Sequence, residues 1–215
     1  NYTESLAYLD SLGKFGIKLG MERIEGLLRE LGNPEQKIKT VHVTGTNGKG
    51  SVTSMITSIL LAANLKVGKF TSPHLVKYNE RINLNGKDIS DEDFAMAITA
   101  VKVAADSVVK KGVCEQPTQF EILTAAAFLY FYLQKVDYAV IEVGMGGLWD
   151  STNVITPVVS VITNVALDHT DRCGKTLERI AMQKAGIIKE KVPLVTAAEG
   201  NEALGPIAVS YTHLT

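Results

Sequence analysis

The sequence has 215 residues, 46% of them hydrophobic, and a formal net charge of -1. That is enough chain for one substantial core and short for two domains, and the balanced charge leaves no global basic footprint for nucleic acid. The two cysteines, Cys114 and Cys173, stand far apart in no ligand-like spacing, which argues against a disulfide scaffold or Cys-rich zinc centre and suits a reducing cytosol.

The N-terminus is polar from Asn1 to Ser5 and lacks the basic-then-apolar order of a secretory signal. The missing initiator Met reads as a start inside a longer reading frame. Leu6, Leu9 and Leu12 then repeat at helical spacing, ahead of a glycine-containing stretch from Gly13 to Gly20. Glu22 to Leu31 is a second amphipathic helix, stopped by Gly32-Asn33-Pro34. A short strand, Lys39 to Val43, feeds a glycine-rich loop, and Ser51 to Asn64 reads as a helix with Val52, Met55, Ile56, Ile59 and Leu60 along one side. Lys66 to Phe70 is the next strand. A helix over Asp91 to Lys110 is capped by Ser90, with acidic residues in its first turn. Thr118 to Gln134 is apolar enough for a buried helix. Tyr138 to Val143 and Val158 to Thr163 are inner strands, Thr176 to Gly186 a helix and Pro193 to Thr196 a further strand. Strands alternating with helices predict an α/β fold: a mostly parallel sheet with helices on both faces. No apolar run reaches the roughly 18 residues of a membrane span.

The central motif is Gly45-Thr46-Asn47-Gly48-Lys49-Gly50-Ser51 between a strand and a helix. Phosphate binding needs several backbone N–H donors converging on its oxygens. Glycines allow the close bend, and a helix N-terminus adds its dipole and free N–H groups. Lys49 supplies a positive charge for the β- and γ-phosphates, and the Ser51 hydroxyl is a candidate Mg²⁺ ligand. The alternative, an ordinary glycine turn with one solvated lysine, is disfavoured by the flanking strand and helix. A phosphate loop alone does not separate kinase, ATPase and ligase.

The spelling of this loop resembles the Mur ligase superfamily, and within it the folylpolyglutamate and dihydrofolate synthases. Further segments resemble the same family in the same order: Lys18 to Ile24, Thr71 to Leu75, Asn79 to Ile82, Thr118 to Glu121, Glu142 to Gly147, Asp150 to Asn153, Leu167 to Thr170 and Lys184 to Ile187. The resemblance covers about Tyr8 to Ala198, and it implies a P-loop-containing Mur-ligase-like ATPase domain over residues 1–204. Residues 205–215 are an unassigned tail, and a C-terminal glutamate-binding domain lies outside this chain. The implied reaction uses ATP to convert a folate or dihydropteroate carboxylate to an acyl phosphate, which the amino group of L-glutamate attacks. Such a fragment is expected to bind nucleotide weakly and to turn over slowly by itself.

The resemblance also implies roles for residues. Thr46, Asn47, Gly48, Lys49, Gly50 and Ser51 would hold ATP. Ser51, Ser72, Glu142 and His169 would hold Mg²⁺, with Mn²⁺ the alternative because imidazole is an unusual Mg²⁺ ligand. Lys49, Glu142, His169 and Lys184 would be catalytic. The lysine matching Lys184 is carbamylated in relatives, which is left open here because Gln183 stands where an acid is expected. Gly20, Met21, Glu22, Arg81, Thr118, Phe120, Asp150 and Ser151 fall on the folate side, where Phe120 can stack on a pterin and Asp150 can accept from its amino-pyrimidine edge. Leu148-Trp149 departs from the arginine-leucine of many relatives, and Arg172-Cys173 from apolar residues. The implied partners are small molecules only, with no nucleic acid and no membrane, in a cytoplasmic monomer. The alternatives are a Mur-type ligase for a peptidoglycan precursor and a nucleotide-binding module without ligase activity.

Overall fold

A computed structural model describes residues 1–13, 20–167 and 175–214. Seven strands form one sheet in the order β4-β3-β2-β5-β1-β6-β7. The parallel part is β1 (Thr40–Thr44), β2 (Val67–Phe70), β5 (Tyr138–Glu142), β6 (Val159–Ile162) and β7 (Leu194–Thr196). β3 (Ile82–Leu84) and β4 (Lys87–Asp88) add an antiparallel edge. That hairpin was not among the predicted strands, although its signal is present. Asn85 and Gly86 both take positive φ, 52° and 81°, as a two-residue Asn-Gly turn requires.

Helices cover both faces, as the alternating pattern predicts. On one face α3 (Lys49–Ala62) packs Val52, Ile56 and Leu60 on Val41 and Val43 of β1, Val67 of β2 and Val140 of β5. On the other, α5 (Gln119–Leu133) lies over Phe70, Ala139 and Ile141. α5 is apolar all round, and α4 (Asp91–Lys110) with α1 (Tyr2–Leu12) and α2 (Glu22–Glu30) encloses it. This is why its sequence shows no polar stripe. The expected Ser90 cap forms, its side chain accepting from Asp93 N–H, and Thr118, read in the sequence as the first helical residue, is itself the N-cap, in a capping box with Glu121.

A third helical layer, α6 (Leu177–Ala185) and α7 (Asn201–Leu214), covers the β6 end of that second face. α7 runs across residue 204, where the sequence suggested the domain's end. Ala203 and Ile207 bury against Ala181, Ala185 and Ile188, and this burial holds the segment helical despite Pro206 inside it. Among the described residues no helix is long and apolar enough to cross a membrane.

Candidate functional site

The parallel strands end together, so the segments leaving β1, β2, β5 and β6 meet at one edge of the sheet. In open α/β sheets this carboxyl edge is where ligands bind. The phosphate loop leaves β1 and turns into α3 at Gly48, whose φ of 77° is left-handed and open to glycine without strain. Helix therefore begins at Lys49, two residues before the expected Ser51. No side chain caps this N-terminus, so its backbone N–H groups remain donors toward solvent. Lys49 Nζ donates to Gly45 O at 3.0 Å and to Thr46 O at 3.1 Å. Its charge is thereby held over the loop.

The segment leaving β6 clamps the loop's first half, a role the sequence did not reveal. Asn164 Oδ1 accepts from Thr46 N–H at 3.1 Å and Asn47 N–H at 2.9 Å. Thr163 Oγ1 donates to Asn47 O at 2.7 Å. Thr46 Oγ1 donates to Ala166 O and accepts from Ala166 N–H. With Thr46 and Asn47 so committed, the donors left for an anion are those around Gly48 to Ser51. A Cβ on Gly45 would run into Thr163 Oγ1, so glycine there is a condition of this clamp.

Glu142 ends β5, directly beside β1. It is only 4% exposed, and its Oε2 accepts from Ser72 N–H at 3.3 Å. A Cβ on Gly50 would lie 3.6–3.7 Å from its carboxylate, which puts the acid against the first turn of α3, where Ser51 also sits. Burial raises the carboxyl pKa and Asp150 adds to the rise, while the Ser72 N–H and the charges of Lys49 and Lys69 oppose it. A desolvated carboxylate beside hydroxyls and a phosphate loop fits a hard cation, whose charge would offset that desolvation. Glu142 thus meets the Ser72 N–H beside the first turn of α3, the turn that carries Ser51. His169 lies outside the described residues.

Lys184 is buried at 4% exposure near the end of α6. That end packs on the loop after β5: Leu148 N–H donates to Gln183 O at 2.8 Å, and a Cβ on Gly147 would come 3.1 Å from Lys184 O. One turn on, a Cβ at Gly186 would strike the Leu148 backbone. Gly186→Ala is expected to destabilise the fold by about 1–3 kcal/mol through this overpacking, read as a lower urea midpoint at unchanged m-value.

Of the residues placed on the folate side, Phe120, Asp150 and Ser151 stand around the same loop. Phe120, in the first turn of α5, tilts against Phe70 with centroids 6.1 Å apart. A Cβ on Gly144 would lie 2.6 Å from Phe120 Cζ and 3.0 Å from Asp150 Oδ2, so ring and carboxylate meet at Gly144. Asp150 is enclosed: Met145 N–H and Thr152 N–H donate to it at 2.8 and 3.0 Å, and Thr152 Oγ1 at 2.6 Å. Its oxygens organise the loop. Thr118 caps α5 beside Phe120, and Ser151 follows Asp150 half-buried. Met21 begins α2 and packs on the core that Phe120 joins, between Gly20 and the exposed Glu22. A buried ion pair, Arg23 Nε to Glu121 Oε1 at 3.0 Å, ties α2 to α5 here. Arg81 Nε donates to His74 Nδ1 at 2.8 Å, and its guanidinium lies 5.8 Å from the Tyr78 ring centre.

Known proteins resemble this chain in sequence and fold. The dihydrofolate synthase/folylpolyglutamate synthase of Bacillus subtilis (strain 168) is 46% identical over 204 residues, 94% of this chain and 47% of that protein. The folylpolyglutamate synthase of Lacticaseibacillus casei is 47% identical over 196 residues, 91% of this chain and 46% of that protein. A solved FPGS-AMPPCP-folate complex matches with a TM-score of 0.93 at 44% identity, covering 100% of this chain and 52% of that one. E. coli FolC in complex with DHPP and ADP matches at 0.88 with 33% identity, covering 99% and 49%. The chain spans about half the length of the curated relatives it matches. Many nucleotide enzymes carry a phosphate loop, but the model of the Mur ligase middle domain matches residues 43–201, from inside β1 into α7, and by that extent the chain belongs to the Mur ligase middle domain family.

Proposed function

We propose that this chain is the ATP-binding part of a ligase that joins L-glutamate to the carboxyl group of a folate or dihydropteroate. The observation that carries the reading is the meeting, at one sheet edge, of the phosphate loop, the buried Glu142 and the loop where Phe120 and Asp150 converge. The names of the relatives supply the substrate class: folate, DHPP, AMPPCP and ADP are ligands of the solved matches.

The chemistry follows from the reactants. An amine cannot expel oxide from a carboxylate, so ATP must first provide a better leaving group, and the protein's part is positioning and charge stabilisation. Gly48 to Ser51 would hold the phosphates on a loop that Thr46 and Asn47 anchor to Asn164, with Lys49 countering the charge on the transferred group. Ser51, Ser72, Glu142 and His169 would hold Mg²⁺ or Mn²⁺, which when bound supplies charge neutralisation between phosphate oxygens. Lys184, buried near the end of α6, would be catalytic at the same site. Phe120 would stack on the pterin, with Asp150, Thr118, Ser151, Gly20, Met21 and Glu22 shaping its pocket and Arg81 meeting the anionic tail. The setting is a monomer in the cytoplasm.

Titration calorimetry in the presence of AMPPCP and Mg²⁺ tests the substrate class. Dihydropteroate or a reduced folate should bind and a UDP-muramoyl peptide should not; the reverse would favour the peptidoglycan-type ligase. Glu142→Gln should remove the Mg²⁺-dependent part of AMPPCP affinity, about tenfold, since one charge-assisted ligand is worth about 1.5–3 kcal/mol. Unchanged Mg²⁺ dependence would remove Glu142 from the metal site.

A further inference from the structure

The strand β1 reads Thr-Val-His-Val-Thr, and both its faces are buried. Val41 and Val43 fill the apolar interface with α3. Thr40, His42 and Thr44 therefore point to the other side, at 1%, 0% and 0% exposure. A polar stripe in a core is costly unless it is hydrogen-bonded; Thr40 Oγ1 has no partner among the described residues, and the partners of His42 and Thr44 show what those two are for. Thr44 Oγ1 donates to Gly146 O at 2.7 Å. His42 Nε2 meets Thr152 Oγ1 at 2.9 Å. Both contacts go to the loop that follows Glu142.

The direction of the second contact can be worked out. Burial raises the Asp150 pKa, and hydrogen bonds from Thr152, Met145 and Gly144 oppose the rise; each carboxyl oxygen accepts a backbone N–H, Oδ2 from Met145 and Oδ1 from Thr152, the arrangement that suits a carboxylate. An acceptor-only carboxylate makes the Thr152 hydroxyl at 2.6 Å a donor to it. That hydroxyl has one hydrogen, so toward His42 it can only accept, and His42 Nε2 carries the proton. Nδ1, which has no partner among the described residues, is then a bare acceptor, less costly than an orphaned buried N–H. Burial, followed by the charge of Lys189, pushes the imidazole down to about 3, so the ring stays neutral.

We propose that His42 is a positioning residue: as the neutral Nε2–H tautomer it aims the Thr152 hydroxyl at Asp150, so that Asp150 holds Met145 N–H and fixes the Gly144–Gly147 turn beside Glu142. The chain of bonds runs from the sheet interior to the turn without a break: His42, Thr152, Asp150, Met145. Thr44 supports the same turn one residue later. The consequence for the metal rests on the ligase reading above, whereas the relay itself does not.

Thr152→Val tests it, because valine keeps the shape and removes only the hydroxyl. In the wild-type chain, long-range ¹H–¹⁵N NMR should show His42 protonated at Nε2 with an unprotonated Nδ1. In Thr152→Val the Met145 amide should exchange with solvent about tenfold faster, while the Ile141 amide of β5 holds its rate. Thr152→Ser should restore the slow rate. A Nδ1–H tautomer, an unchanged Met145 rate, or an equal rise at Ile141 and Met145 would overturn the proposal, the last marking a merely structural role. In Thr152→Val the Mg²⁺-dependent gain in AMPPCP affinity should shrink about fivefold, with metal-free affinity kept. A wild-type chain with no Mg²⁺-dependent gain would count against the metal reading of Glu142 alone, and Met145 exchange would still decide the relay.

Discussion

Lys49→Met is expected to weaken AMPPCP binding about 100-fold, since truncating one partner of a charged, hydrogen-bonded contact costs about 2–5 kcal/mol. The loop geometry supplies the reason. Asn164 occupies the N–H groups of Thr46 and Asn47, so phosphate is left with the α3 N-terminus and one cation. That cation already sits over the loop, bridging Gly45 O and Thr46 O. The nucleotide need only displace it slightly, and little order has to be created on binding. Methionine keeps the length and apolar contacts of the stem while removing the charge. The fold should survive, because Lys49 is only half-buried and its partners are loop carbonyls near solvent. Calorimetry gives the affinity, and an unchanged urea midpoint gives the control. A Kd within about twofold of wild type, under 0.5 kcal/mol, would show that the loop does not use Lys49 to hold phosphate.

Arg23→Met should destabilise the fold by about 3–5 kcal/mol, the usual result of leaving one charge of a buried ion pair behind. Arg23 and Glu121 side chains are 10% and 2% exposed, and Arg23 Nε reaches both carboxylate oxygens, at 3.0 and 3.2 Å. Glu121 also accepts from Thr118 N–H at 2.6 Å, so its carboxylate closes the α5 capping box as well. Removing the guanidinium strands that charge in the core where α2 meets α5. A domain of this size has about 5–15 kcal/mol in total, so the loss should be plain in a urea titration. The double variant Arg23→Met/Glu121→Gln should recover most of it, because glutamine removes the charge yet still accepts from Thr118 N–H. Full additivity of the two single losses would show that the pair is not coupled.

Much of the fold was legible because it is written in local patterns. The buried strand β5, the capped start of α4 and the strand-loop-helix around Gly45 to Ser51 each follow from a few neighbouring residues. The family resemblance, now supported by the match over residues 43–201, came from such segments in order. Errors were local too. The helix after the phosphate loop starts earlier than Ser51 because left-handed Gly48 completes the turn first. The β3–β4 hairpin was passed over because its strands of three and two residues are too short to show alternation.

What the sequence by itself determined is the phosphate loop with which the chain is most clearly marked, the alternation that builds a parallel sheet, and the placing of Glu142 at a strand end. Those properties depend on residues a few positions apart, where backbone geometry sets the outcome. Only the tertiary structure decided the rest. Asn47 and Asn164 are 117 residues apart, His42 and Thr152 110, and Arg23 and Glu121 98. Hydrogen bonds and ion pairs need their atoms within about 3 Å. No periodicity in the chain encodes a meeting over such separations, and it arises only when strand order brings β5, β1 and β6 side by side.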